Sequence, residues 1–434
     1  MKLLSTIAAL AFVGSTSVLA ACPTGTTQLG TIFGKEACGL KGRYTTNLVL
    51  TADKTWVLQG GVFIGNDNKN NANITIQAGT KIIGQNGADF LVITRGSKII
   101  ANGRADAPIV FTAAKESGRK RGEWGGLILN GNAPINSCGD STQVCEAEGE
   151  GSTGVYGGNN PEDNSGVLRY VRVEFAGYEI TPSNELNGIA FQGVGSGTSI
   201  EYIQSHMGSD DGIEFFGGTA NMKYVVITGA KDDSLDWTSG WRGKAQFIVI
   251  NQYDDAANNG IEADNLSSPM NADPRSNPTL SNMTLIGADT GAAKGGEGIL
   301  LRLGTGAAIY NSIITGFKSS CIDLDDKETF ENAVRFNSSL ERNEIVFENN
   351  LISCKKNINE EAGDVFSLVD FLMNQSENNL VDAQLNGWTP ASSSPALQGG
   401  VIPFDFFFDF VDYIGAVKDE SSDWTKGWTT NARN

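Results

Sequence analysis

The chain has 434 residues, with 32 Lys and Arg against 50 Asp and Glu and a single His, for a net charge of −18. So acidic a balance excludes nucleic acid and anionic membrane as electrostatic partners, and one His excludes zinc sites of several His and paired-His catalysis. With 53 Gly, 11 Pro and 40% apolar residues, the chain is Gly-rich and able to bury a large core.

Residues 1–20 read as an export signal: Lys2, an apolar run over 3–13, then Val18 and Ala20 at the positions a signal peptidase reads. The run is too short to span a bilayer, and no later segment reaches ~18 apolar residues, so no transmembrane segment is expected. Leu19-Ala20-Ala21-Cys22 also resembles a lipobox. The six Cys fall into sequence neighbours, Cys22 with Cys38, Cys138 with Cys145 and Cys321 with Cys354. Lipidation at Cys22 would leave an odd count, so cleavage after Ala20 is the expectation, and a secreted, periplasmic or outer-membrane/cell-surface location follows.

Six segments then resemble one another: 187–191, 211–215, 233–237, 259–263, 297–301 and 320–324. Each places an aliphatic residue third (Ile189, Ile213, Leu235, Ile261, Ile299, Ile322), and most recur at about 22–26 residues. Runs rich in β-branched and aromatic residues lie between them. A sandwich has no reason to repeat one motif at this period, whereas a solenoid coil does. The expected fold is all-β: a right-handed parallel β-helix over 47–355, with a disulfide-tied N-terminal cap at 21–46 and a small α/β cap at 356–434. In that last stretch Asp364 reads as the N-cap of an amphipathic helix. Residues 404–410 alternate Phe with Asp and read as a half-buried strand.

Several strings carry a family resemblance: Gly122-Glu123-Trp124-Gly125-Gly126-Leu127-Ile128-Leu129-Asn130-Gly131-Asn132-Ala133-Pro134, the stretch 210–218, and Asp423-Trp424-Thr425-Lys426-Gly427-Trp428. With them the chain resembles secreted or lipoprotein-type proteins of Gram-negative bacteria, similar in architecture to pectate-lyase-like right-handed β-helices. The resemblance implies export and fold and carries no catalytic residues with it.

Two constellations could carry chemistry. Asp210-Asp211, Asp232-Asp233 and Asp254-Asp255 recur 22 residues apart, and Glu214, Asp236 and Glu262 share one file of the repeat, with Asp264 beside it. Stacked coils stand about one strand spacing, ~4.8 Å, from one another. Carboxylates that close repel and raise each other's pKa unless a cation or an Arg intervenes, and Ca²⁺ takes 6–8 such oxygens. The expected metal ligands are Asp210, Asp211, Glu214, Asp232, Asp233, Asp236, Glu262 and Asp264. Alongside them Trp237, Trp241, Arg242 and Tyr253 read as a sugar-binding surface, with Arg242 the candidate base of a lyase. Against this, Asp236-Trp237-Thr238-Ser239-Gly240-Trp241 recurs in form at 423–428, which favours a structural turn. His206 lacks a nucleophile-elbow context and reads as a hydrogen-bonded surface or groove residue. Glu146, Glu148 and Glu150 alternate and read as one solvated strand face.

The expected function is binding of polysaccharide or a surface or matrix partner without catalysis. The alternative is a Ca²⁺-dependent polysaccharide lyase or a glycoside hydrolase that uses the stacked acids, whose spacing permits either hydrolase geometry.

Overall fold

The computed structural model describes residues 21–433 apart from 140–142, 182–183, 289–295, 376 and 404; the expected export signal lies outside the described residues. A network of 25 strands, parallel except for the first hairpin, winds as a right-handed β-helix. One face stacks Phe90–Ile93, Leu127–Asn130, Ile189–Gln192, Ile213–Phe216, Leu235–Thr238, Ile261–Ala263, Ile299–Leu301 and Ile322–Leu324. The register aligns Ile189, Ile213, Leu235, Ile261, Ile299 and Ile322, the file read from the repeat, and all six are fully buried. Strand alternation dictates the rest: in Ile213–Phe216 the Ile and the first Phe point inward, and Glu214 points out.

The other two faces meet at a corner inside longer strands such as Ser199–His206, Met222–Thr228 and Lys244–Asn251. At that corner Tyr170, Tyr202, Tyr224 and Phe247 all take positive φ, between 47° and 61°. For an L side chain this costs roughly 1–2 kcal/mol. The rings offset it by stacking coil on coil, with centroids 4.5, 4.4 and 5.0 Å apart.

Both ends differ from expectation. Lys35–Tyr44 already pairs in parallel with Lys54–Ile64, so the first coil begins inside the stretch expected as a cap. The cap proper is the hairpin of Thr27–Ile32 against 35–39, tied by Cys22–Cys38. The other two disulfides, Cys138–Cys145 and Cys321–Cys354, also join sequence neighbours. At the far end the helix Leu368–Met373 covers the last coil with Leu368 and Leu372. Its N-cap is Ser367, whose Oγ accepts from the Asp370 amide at 3.2 Å; Asp364 instead accepts from the Glu361 amide at 2.8 Å. Residues 405–410 form turns rather than a strand, because Asp405 accepts from the Phe407 amide two residues on.

Residues 401–433 leave the coil end and return as a strap along the outer corner. Outward-pointing amides on the coils receive its backbone as an edge strand would. Gln246 donates to the Asp409 carbonyl at 2.9 Å and accepts from its amide at 2.8 Å. Gln204 treats Thr430 the same way, at 2.7 and 2.9 Å. Trp424 and Trp428 meet the tyrosine stack edge-on, at 5.3 Å from Tyr224 and 5.7 Å from Tyr170. The two Trp-bearing strings therefore have opposite addresses, one inside the coil and one outside it. Trp428→Ala is expected to destabilise the protein by about 3–5 kcal/mol, read as a lowered urea midpoint. Phe406→Ala, at a fully exposed ring, is expected to leave the midpoint unchanged.

Candidate metal centre

The acid file sits on the outer side of the first face. Register places Glu214, Asp236 and Glu262 on three successive coils, between Ala190 below and Leu300 above. The turn before each strand adds Asn187, Asp211, Asp233 and Asn259. There the side chains bridge coils: Asp211 Oδ1 accepts from the Asp233 amide at 3.0 Å, and Asp233 Oδ1 from the Asn259 amide at 2.6 Å. Gly212 makes this turn possible, because a Cβ there would stand 2.3 Å from the Ile227 side chain and 2.6 Å from the Ser234 carbonyl.

Asp211, Asp233 and Asp236 each bring a carboxylate oxygen to one point, all three within 4.8 Å of one another. Asp211, Glu214 and Asp233 are buried. Asp236 is half-buried, yet its Oδ1 is closed off and meets no hydrogen-bond partner. The Oδ1 of Asn187 and the Oγ of Ser234 are orphaned in the same way. Burial pushes the Asp211, Glu214, Asp233 and Asp236 carboxyls well above their usual range, and neighbouring acids push further. Among the described residues no Lys or Arg forms an ion pair with these four.

The donor set fits a hard divalent cation. Opposite ligands of Ca²⁺, at 2.3–2.6 Å each, stand up to about 5 Å apart, which accommodates the 4.8 Å spread. Asp211, Asp233 and Asp236 would hold the ion, with Glu214 next to them.

The other expected ligands divide. Asp210 is half-buried and its carboxyl is raised to about 8, first by burial and then by Glu185 and Asp232; Asp232 itself is exposed. Glu262 and Asp264 belong to Arg302, which pairs with Glu262 and reaches Asp264 Oδ1 at 2.8 Å. Burial nonetheless keeps both carboxyls above their usual range. Arg302 was absent from the sequence-based set although the repeat held the signal: Leu301 aligns with Ala263, which puts Arg302 level with Asp264. The third Asp pair does not join the first two. The residue stacked on Asp233 is Asn259, because that coil is longer, while Asp255 pairs with Arg121 and Asp254 with Arg433.

The aromatic surface is corrected outright. Trp237 and Trp241 are fully buried, and Trp241 stacks 4.0 Å from Phe215 within the coil, so neither ring can meet a sugar. Tyr253 is buried beneath Arg433, whose guanidinium lies 3.9 Å from its ring centre. Only Arg242 remains exposed. His206 is hydrogen-bonded, in the interior rather than in a groove: Nε2 donates to the Ala432 carbonyl at 2.8 Å, which leaves Nδ1 to accept from Thr228 Oγ1 at 2.7 Å.

A cover closes over this face. Ile135, Cys145, Tyr156, Ile180 and Leu186 pack on Val92, Ile128, Ala190 and Phe216, and the buried Arg95 ties the cover down through Asp67 and Glu146 at 2.6 Å each. The glutamates expected as one solvated face thus differ from one another. Glu146 is paired, Glu148 accepts from the Gly154 amide at 3.0 Å, and Glu150 is raised to about 7 by burial and by Glu185.

These raised carboxyls give stability a direction with pH. Unfolded, the acids ionise near 4; folded, Glu150 keeps its proton to about 7 and Asp210 to about 8. Over that window the unfolded chain has released protons that the folded chain still holds, so stability falls as pH rises. In chelator the thermal midpoint is expected to drop between pH 5 and pH 8, with a smaller drop in Asp210→Asn. A flat profile, or an equal drop in the variant, contradicts the assignment.

Neither the curated proteins nor the solved structures compared with this chain contain a match to it. The profile of the family described as pectate-lyase like beta helix domain matches residues 42–392, well over half of the sequence. The match spans the coils from the end of the first strand onward, the cover and the closing helix, and on it the chain belongs to the pectate-lyase-like β-helix family.

Proposed function

We propose that this is an exported β-helix protein that binds polysaccharide or a surface or matrix partner without catalysis, and that its acid cluster holds a structural Ca²⁺. The observation that carries the reading is the enclosure of the cluster. Acids that cleave a polymer must meet it, whereas Asp211, Glu214 and Asp233 are buried, and Asp211 and Asp233 spend oxygens on the coil turns. An ion there would neutralise charges that otherwise oppose stacking. Export is supported by the signal-like residues 1–20 and by three disulfides, which persist in oxidising compartments. No helix among the described residues is long and apolar enough to cross a membrane. Free secretion, periplasmic residence and tethering at the cell surface are all compatible with the proposal.

Millimolar Ca²⁺ is expected to raise the thermal midpoint of the chelated protein, and Asp236→Asn to abolish the rise. Incubated with acidic and neutral polysaccharides, the protein is expected to retain ligand while releasing neither new reducing ends nor unsaturated uronate. Chelator-sensitive product formation would overturn the binding reading in favour of a lyase. No shift with Ca²⁺ would remove the ion.

A further inference from the structure

The two ends of the solenoid are closed to different degrees. At the far end each face of the last coil is met. Gln375 Oε1 accepts from the Phe347 amide at 2.9 Å, the Asn379 carbonyl accepts from the Ile352 amide at 2.9 Å, and Ile358 bridges to Ile322. At the near end the hairpin caps one face only. Residues 42–44 pair with 62–64, and Leu48–Leu50 pairs with 74–76; among the described residues neither has a strand on its outer edge. Edges of this kind are ready to take another chain.

Charge divides the ends as well. Within 21–54 the two acids, Glu36 and Asp53, both lie against Lys54, at 3.3 and 3.4 Å. Lys35 and Arg43 donate instead to the Ala52 and Gly65 carbonyls, at 2.6 and 2.7 Å, and Lys41 is exposed. None of these three forms an ion pair among the described residues, so the open end is basic. The closing segment 355–382 carries six acids against two Lys. Of these acids Glu361 lines a cleft of about 290 Å³ with Asp325, Asp326 and Asp364. Among the described residues none of those four is ion-paired, and Lys327 of the same cleft pairs with Glu331 at 3.2 Å. Asp370 is exposed on the closing helix. Apolar side chains accompany both charges: Val49 is exposed at the open edge, and Val365, Met373, Leu380 and Val381 at the closed end. Two chains of net charge −18 repel when they approach side by side. Basic end on acidic end is the approach in which charge instead attracts.

We propose that the protein binds a second copy of itself head to tail, with the open first coil of one copy seated on the closing cap of the next. Lys41 and Arg43 would face Glu361 and Asp370, while free amides of 42–44 and 48–50 donate to carboxylates of the cap. Val49 would meet the exposed apolar residues around the closing helix. A head-to-tail contact leaves both outer ends free, so it runs on as a filament along the solenoid axis instead of closing as a dimer. Two first coils set face to face would oppose Lys41 and Arg43 to their own copies. Both ends lie clear of the acid file, so this assembly is separate from glycan and Ca²⁺ binding.

Sedimentation velocity on the full mature chain in Ca²⁺ tests it over a range of concentrations. At ~0.15 M salt the mass is expected to keep rising past the dimer. At ~1 M salt, where the Debye length shrinks from about 8 to 3 Å, it is expected to fall back toward monomer. Lys41→Glu and the double variant Glu361→Lys/Asp370→Lys are each expected to weaken association by tenfold or more. Lys120→Glu, the same charge change at another exposed position, is expected to leave it unchanged. Thermal midpoints check that each variant is folded, and Lys41→Gln, which removes the charge alone, is expected to give a smaller loss. Monomer at every concentration overturns the proposal, as does a mass that stops at the dimer. Association indifferent to salt or to either end variant, or weakened equally by Lys120→Glu, overturns it too.

Discussion

Parallel coils stacked in register place each residue over its counterpart about one strand spacing away, so any side-chain choice acts with its copies along the axis. Inside, this multiplies favourable contacts: Ile189, Ile213, Leu235 and Ile261 form a continuous apolar file. At the outer corner it stacks aromatic residues that share a positive φ. On the site face the same geometry stacks acid upon acid. One consequence is relieved by Arg302, which neutralises Glu262 and Asp264. The other, around Asp211, Asp233 and Asp236, has no ion pair among the described residues, and burial and mutual repulsion push its carboxyls well above their usual range. A bound divalent ion would resolve that conflict without altering the coil.

The last coil is closed by the apolar Leu368 and Leu372, whereas the outer corner is covered by polar contacts. The strap, residues 401–403 and 405–433, is received by Gln204, Gln246 and Asn311 in paired amide hydrogen bonds, and His206 Nε2 meets the Ala432 carbonyl near its end. These contacts replace the ladder partners that an outer strand would supply. The strap also pairs Asp405 with Lys244 of the coils.

Periodic features were legible from the sequence because a solenoid repeats its geometry. The inward file, the outward acids Glu214, Asp236 and Glu262, and all three disulfide pairs follow from the repeat and from sequence neighbours. Departures from strict period were not legible. Asp254-Asp255 kept the 22-residue spacing but fell out of register because the coil before Asn259 is lengthened. An aromatic next to an acid suits a sugar site, but the recurrence of the Trp string favours a structural turn, and strand alternation from Asp236 sends Trp237 inward, with Trp241 following it under Phe215. The cover depends on contacts between segments far apart in sequence, such as Arg95 with Glu146, for which no local pattern exists.

The central claim is that a cation sits where the stacked acids converge. A crystal structure of the protein grown in Ca²⁺, with anomalous data, tests it most directly. The account predicts one peak coordinated by Asp211, Asp233 and Asp236 at about 2.3–2.6 Å, absent from Asp236→Asn. Water at that position, with the three carboxyls hydrogen-bonded to one another, would contradict it.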